Sequence, residues 1–236
     1  MKRLIGVIFS VFSIFSCGPI YYAPNATQVP LFTQRKQIAA TACATNGGIQ
    51  FDGAFSLSDQ VLICASGSFA NPKEDESGNG GTGTLVELGG GYYKPIQEKI
   101  VTGVTGLLGI GNMENHYPSA GGSVEADLFR WGIQPYIGFT GKYVEGVIAT
   151  RFAGVNYSSI NGQLTLNNLE QGNYLRANSY QVFFEPSFTL RIGYKSIFLQ
   201  LQDVVSVDLS NSKFPYRNNT FTAGIYFKYQ LAKGKN

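Results

Sequence analysis

Charge is scarce in this chain. Asp, Glu, Lys and Arg make up 14% of the 236 residues, and the formal net charge is +3. No basic cluster with interleaved aromatics is present, so nucleic acid is not expected as a partner. Histidine is almost absent: His116, in Asn115-His116-Tyr117-Pro118-Ser119, is the only one. Catalytic barrels need a base, usually His. A Ser three residues after the His in a Pro-containing stretch is not a triad spacing, so His116 reads as a solvated loop residue and no enzyme is expected. The three cysteines, Cys17, Cys43 and Cys64, have no metal-ligand spacing, so no metal is expected. Gly106–Gly111 is Gly-rich but lacks the Lys-Ser/Thr of a phosphate loop. The acidic stretch 73–84 lacks the ordered spacing of a calcium loop. Long apolar runs are missing too. The longest, Leu4 to Phe15, falls short of the ~20 residues of a membrane helix.

That run has another meaning. Lys2 and Arg3 precede it, and Ser16-Cys17-Gly18 follows it. A charged n-region and a short apolar stretch mark a secretory signal peptide. A small residue before a Cys at its end resembles the lipobox of bacterial lipoproteins, with Ile14 where Leu is usual. Residues 1–16 are then a signal and Cys17 is the lipidation site, the covalent lipid being the one cofactor expected. Residues 17–36 hold Pro19, Pro24 and Pro30 without periodicity. They are expected to form an extended tether between the lipid and the domain 37–236.

What the chain does have is glycine, 29 residues, aromatic residues at 14%, and alternation. In 219–231, Phe221, Ala223, Ile225, Phe227 and Tyr229 share one face and Thr222, Tyr226, Lys228 and Gln230 the other. Similar alternation predicts ten strands, at about 37–45, 48–57, 60–70, 83–94, 98–110, 122–141, 143–157, 178–194, 196–208 and 219–231. Several are longer than globular strands. Short links alternate with long ones at 71–82, 111–121, 158–177 and 209–218, the pattern of outer-membrane barrels. The expected fold is all-β: a closed, antiparallel, up-and-down transmembrane barrel. Within 122–141 the apolar parity slips near Arg130-Trp131-Gly132, which predicts a β-bulge there. Cys43 and Cys64 fall on next-but-one strands, too far apart for a disulfide.

With the apolar face toward lipid, the polar face collects Asp52, Glu87, Gln134, Gln200 and Gln202 and a predicted lumen network of Glu125, Asp127, Glu145, Arg151, Glu185 and Arg191. Buried charges must pair, so an ion-paired filling is expected rather than a pore of one dominant sign.

Several strings resemble a family of Bacteroidota outer-membrane barrel lipoproteins. They are Tyr21-Tyr22-Ala23-Pro24-Asn25, Ala54–Asp59, Gln134-Pro135 with Gly138 and Lys142-Tyr143-Val144, and Phe184-Glu185-Pro186 with Leu190–Gly193. The resemblance implies fold and outer-membrane location, and no catalytic residue. In such lipoproteins an acidic run after the Cys favours surface display. None follows Cys17, so the N-terminus, like the C-terminus, is expected on the periplasmic side. The expected partners are outer-membrane lipids and other outer-membrane or periplasmic proteins. The expected role is a structural or accessory subunit of a larger assembly, such as a secretion translocon. The alternative is a small porin-like or ligand-binding barrel with a polar lumen.

Overall fold

The computed structural model describes residues 19–72, 74–211 and 213–231, the side chain of Gln97 aside. The predicted signal and Cys17 lie outside the described residues.

The chain builds one sheet closed on itself. Its strands are β1 (Gln37–Thr45), β2 (Gly48–Ser56), β3 (Val61–Ala70), β4 (Gly80–Gln97), β5 (Ile100–Tyr117), β6 (Gly122–Thr140) and β7 (Val144–Asn161). A small hairpin, β8 (Thr165–Leu166) with β9 (Leu169–Glu170), and helix α1 (Gln171–Ala177) lie in the next loop. Then come β10 (Tyr180–Tyr194), β11 (Ile197–Val205), β12 (Val207–Asp208) and β13 (Asn219–Gln230). The wall pairings are antiparallel between neighbours. β13 pairs with both β11 and β1, which closes the ring. β12 continues β11 beyond Ser206 along the same neighbour, β10. The wall is therefore a closed ten-strand antiparallel barrel, as the alternation predicts.

The connections define two rims. One carries the short turns at 57–60, 98–99, 141–143 and 195–196. The other carries the loops 71–79, 162–179 and 209–218, the turn at Pro118–Ala120, and the tight Asn46-Gly47 link. β4 and β5 run further toward the long-loop rim than their pattern predicts, so His116 is a strand residue rather than a loop residue.

The wall is apolar outside, and inside it is polar at mid-barrel with an apolar cluster around Leu62, Val101 and Val147 nearer the short turns. Leu88, Leu108, Ile110, Ile133, Ile148 and Ile225 are exposed on its outer surface, while Gln50, Thr105, Gln134, Thr189, Gln200 and Thr222 are buried inside. This is the pattern of a transmembrane barrel. Near the short turns, Tyr143 and Tyr194 stack at 5.6 Å, with the Lys142 ammonium 5.1 Å from the Tyr143 ring. Exposed aromatic and basic side chains of this kind suit a membrane–water boundary. Cys43 and Cys64 are buried and unpaired, as expected.

The predicted bulge at Arg130-Trp131-Gly132 is absent. β5–β6 pairing runs in register from Ile100↔Phe139 to Tyr117↔Gly122, and the irregularity against β7 lies at Glu125/Asp127. Even-numbered β6 residues face inward throughout: Val124, Ala126, Arg130, Gln134 and Tyr136 are all buried. The apolar residues change faces because the surroundings change. Toward the long-loop rim the outside is aqueous and the inside is an apolar cap.

Candidate functional site: the lumen and the leader within it

The lumen is occupied by the chain's own leader. Residues 19–34 run from the long-loop rim, through the barrel, to the short-turn rim where β1 begins. Three prolines suit this segment: they favour extended backbone and reduce the number of N–H groups needing partners. The segment expected as an extended tether is extended over its described residues, and it runs inside the barrel. A ten-strand ring is wider than side chains alone fill, and the leader's backbone supplies what the wall's polar groups lack.

At the long-loop rim the leader is held by loops and aromatic rings. The Tyr21 amide donates to the Pro215 carbonyl at 3.0 Å, and the Arg217 amide donates to the Tyr22 carbonyl at 2.8 Å. Asn115 Nδ2 on β5 donates to the Ile20 carbonyl at 3.1 Å, and the Tyr157 hydroxyl donates to the Tyr21 carbonyl at 2.9 Å. The Tyr22 ring stacks on Phe183 at 4.1 Å, and Tyr21 lies 5.7 Å from Phe214. Val124, Leu164 and Leu175 complete this apolar cap.

In mid-barrel, side chains read the leader's backbone directly. Gln50 of β2 accepts from the Ala26 amide at 2.8 Å and donates to the Ala26 carbonyl at 3.1 Å. Gln202 of β11 does the same for Thr27, at 2.8 and 2.9 Å. A primary amide presents the donor and acceptor of a peptide group, so these two glutamines act as short surrogate strands. Gln134 donates to the Gln28 carbonyl at 2.7 Å, Arg151 to the Asn25 carbonyl at 3.1 Å, and Arg191 to the Val29 carbonyl at 3.0 Å.

The charged groups pair around the same segment. Arg130 makes a two-pronged contact with Glu87, through Nε to Oε1 at 2.9 Å and Nη2 to Oε2 at 2.7 Å. Asn25 of the leader bridges that pair, accepting from Arg130 at 2.6 Å and donating to Glu87 at 3.0 Å. Arg151 bonds Glu185, which also accepts from the Tyr22 hydroxyl at 2.6 Å. Arg191 meets Glu145 at 3.2 Å and lies 3.7 Å over the Tyr226 ring, and Lys228 closes on the other oxygen of Glu145. Each of the three arginines and their glutamates is at most 1% exposed. Below them Leu31 and Phe32 are fully buried. A Cβ at Gly138 of β6 would stand 2.6 Å from Leu31 Cδ2, so glycine there makes room for the leader. The cavity lined by Thr27, Val29, Arg191 and Tyr226 measures about 10 Å³, space for about one water molecule.

Of the predicted network, Glu145, Arg151, Glu185 and Arg191 come together inside. Glu125 and Asp127 do not: both are exposed on the outer face of β6, above the apolar belt. A lumen position for them requires the strand to change face, and it does not. Arg130 and Gln50 are the residues that prediction misses, and Lys228, on the polar face of β13, joins Glu145. An unbroken parity along β6 would have found Arg130, which sits in phase with Gln134. The leader's position had no signal in the wall pattern. His116 Nε2 meets Glu74 Oε1 at 3.0 Å, whereas the Ser119 hydroxyl donates to Asn79 at 2.8 Å, so the two do not form a pair.

The two described ends of the chain lie at opposite rims. Pro19–Tyr21 lie at the long-loop rim, and Gln230, paired with Gln37, lies at the short-turn rim. The described residues thus begin and end at opposite rims, and the termini expected on one side lie outside them. A segment that fills the lumen must enter by one mouth and leave by the other.

No family model matches the chain, and no curated protein matches it. The resemblance to Bacteroidota barrel lipoproteins stays an expectation. Among solved structures, the chain is similar to the KdgM porin at 9% identity and a TM-score of 0.37, covering 82% of this chain and 99% of that one. It is similar also to the KdgM porin in complex with disordered oligogalacturonate, at 10% identity and a TM-score of 0.34 over the same shares. At those values the fold rests on the strand ladder described above.

Proposed function

We propose that this chain is an outer-membrane barrel of porin-like build, sealed by its own leader. The observation that carries this is the paired recognition of Ala26 and Thr27 by Gln50 and Gln202 in mid-lumen. The segment they grip lies where a solute would have to pass. It is anchored above by Tyr21 and Tyr22 and below by Leu31 and Phe32. In this state the barrel acts as a closed scaffold in the membrane that presents its long loops, and the polar lumen becomes a path only when the leader leaves it. The expected role as a subunit of a larger assembly draws no support from contacts among the described residues and is not part of this reading.

Planar-bilayer conductance tests the proposal. The full-length protein is expected to be silent. A variant in which residues 19–32 are replaced by a Gly/Ser stretch is expected to give discrete channels, provided it still migrates as a folded barrel. Steady conductance from the full-length protein would support an open porin instead.

A further inference from the structure

The direction of the leader decides where the N-terminus emerges. We infer that the mature N-terminus leaves the barrel at the long-loop face, so that acyl chains on Cys17 enter the outer leaflet of the outer membrane. This rests on the reading of the leader as a luminal segment, and on the general habit of such barrels to turn their long loops outward.

Three observations carry it. First, polarity along the lumen is fixed by ordered contacts. Ile20 and Tyr21 meet Asn115, Tyr157 and Pro215 near one rim. Asn25 to Thr27 meet mid-barrel groups. The Thr33 amide donates to Gln37 at the other rim. Second, chain length forbids a return. Two residues of chain reach at most about 7 Å, so a lipid on Cys17 has only that span beyond Pro19. β5 has 18 residues. At about 3.3 Å each and a tilt of about 40°, roughly 45 Å separates the rims. Third, the way back through the lumen is filled by the leader itself.

Acylation would transfer a diacylglyceryl group from a phospholipid to Cys17 Sγ. A C–S bond forms, the glycerol C–O bond to phosphate breaks, and the thiol proton leaves with the headgroup phosphate. The charged, filled lumen offers no path to acyl chains, so the anchor reaches its face before the barrel closes around the leader. Surface display then needs no acidic run after the Cys, because the barrel carries the anchor across.

The test uses the full chain in cells, with a short neutral epitope placed either between Gly18 and Pro19 or after Asn236. Antibody is expected to label the first epitope on intact cells, and the second only after the outer membrane is permeabilised. Labelling of the first only after permeabilisation, or of both alike, overturns the inference. Mass spectrometry of the mature N-terminus is expected to show acyl mass that Cys17→Ser removes, while the epitope stays at the surface because the leader still holds it. A free thiol in the wild-type protein overturns the lipid half. Conductance of the same proteins separates this from the sealing proposal: a labelled but conducting barrel sinks the seal and leaves the topology standing.

Discussion

The two ends of β6 carry opposite polarity on the same two faces. From Arg130 to Thr140 the inward positions include Arg130, Gly132, Gln134, Tyr136 and Gly138, and the outward ones Ile133, Ile137 and Phe139. From Gly122 to Phe129 the inward positions are Val124, Ala126 and Leu128, and the outward ones include Glu125 and Asp127. Backbone register is continuous across both. A strand therefore reports its surroundings and not its direction: lipid outside and the leader inside at one end, water outside and an apolar cap inside at the other.

Substitutions along the barrel sharpen that contrast, and each can be followed by urea unfolding in detergent or liposomes with heat-modifiable migration as the check. The largest loss is expected from Arg130→Ala, which leaves Glu87 and Asn25 without their partner in a buried site and should cost about 3–5 kcal/mol. Phe183→Ala removes the ring that stacks on Tyr22 in the cap and should cost about 3 kcal/mol. Stability unchanged by Phe183→Ala would mean that the cap does not hold the leader.

On the outer face, Ile133→Arg puts a cation against lipid and should cost about 2–4 kcal/mol if the residue lies near mid-membrane. Asp127→Arg, six residues away on the same face, should stay within about 0.5 kcal/mol. Equal costs at the two positions would erase the boundary drawn between them.

The smallest effect belongs to the 71–79 loop. The Asp75 carboxyl is held below its ordinary range by hydrogen bonds from the Asn79 backbone amide and then the Asn79 side chain, with Ser77 assisting. A depressed folded pKa stabilises the turn above the unfolded carboxyl value of about 3.9, and that stabilisation is lost as pH falls through the folded pKa. The Asn79 amide resonance should therefore hold constant between about pH 5 and 8 and move only in acid. Movement near neutrality would assign the turn to another group.

Much of the wall was legible because period two is a local property. β1, β2, β3 and β13 begin and end within a residue or two of where alternation places them. Glu145, Arg151, Glu185 and Arg191 could be assigned to the interior because each shares a face with other polar residues of its strand. Glu125 and Asp127 failed by the same logic, since a polar residue faces the lumen only where lipid covers the opposite side. The leader was out of reach because an aperiodic Pro-rich segment reads alike whether it crosses solvent or the inside of a barrel.

Composition and alternation by themselves determined that this chain closes into an antiparallel barrel with an apolar exterior, because side-chain direction along a strand follows from backbone geometry alone. The tertiary structure alone decided what fills the barrel and which way it runs. The partners of Ala26 and Thr27 come from β2 and β11, far apart in sequence, and only ring closure brings them to the same stretch of backbone.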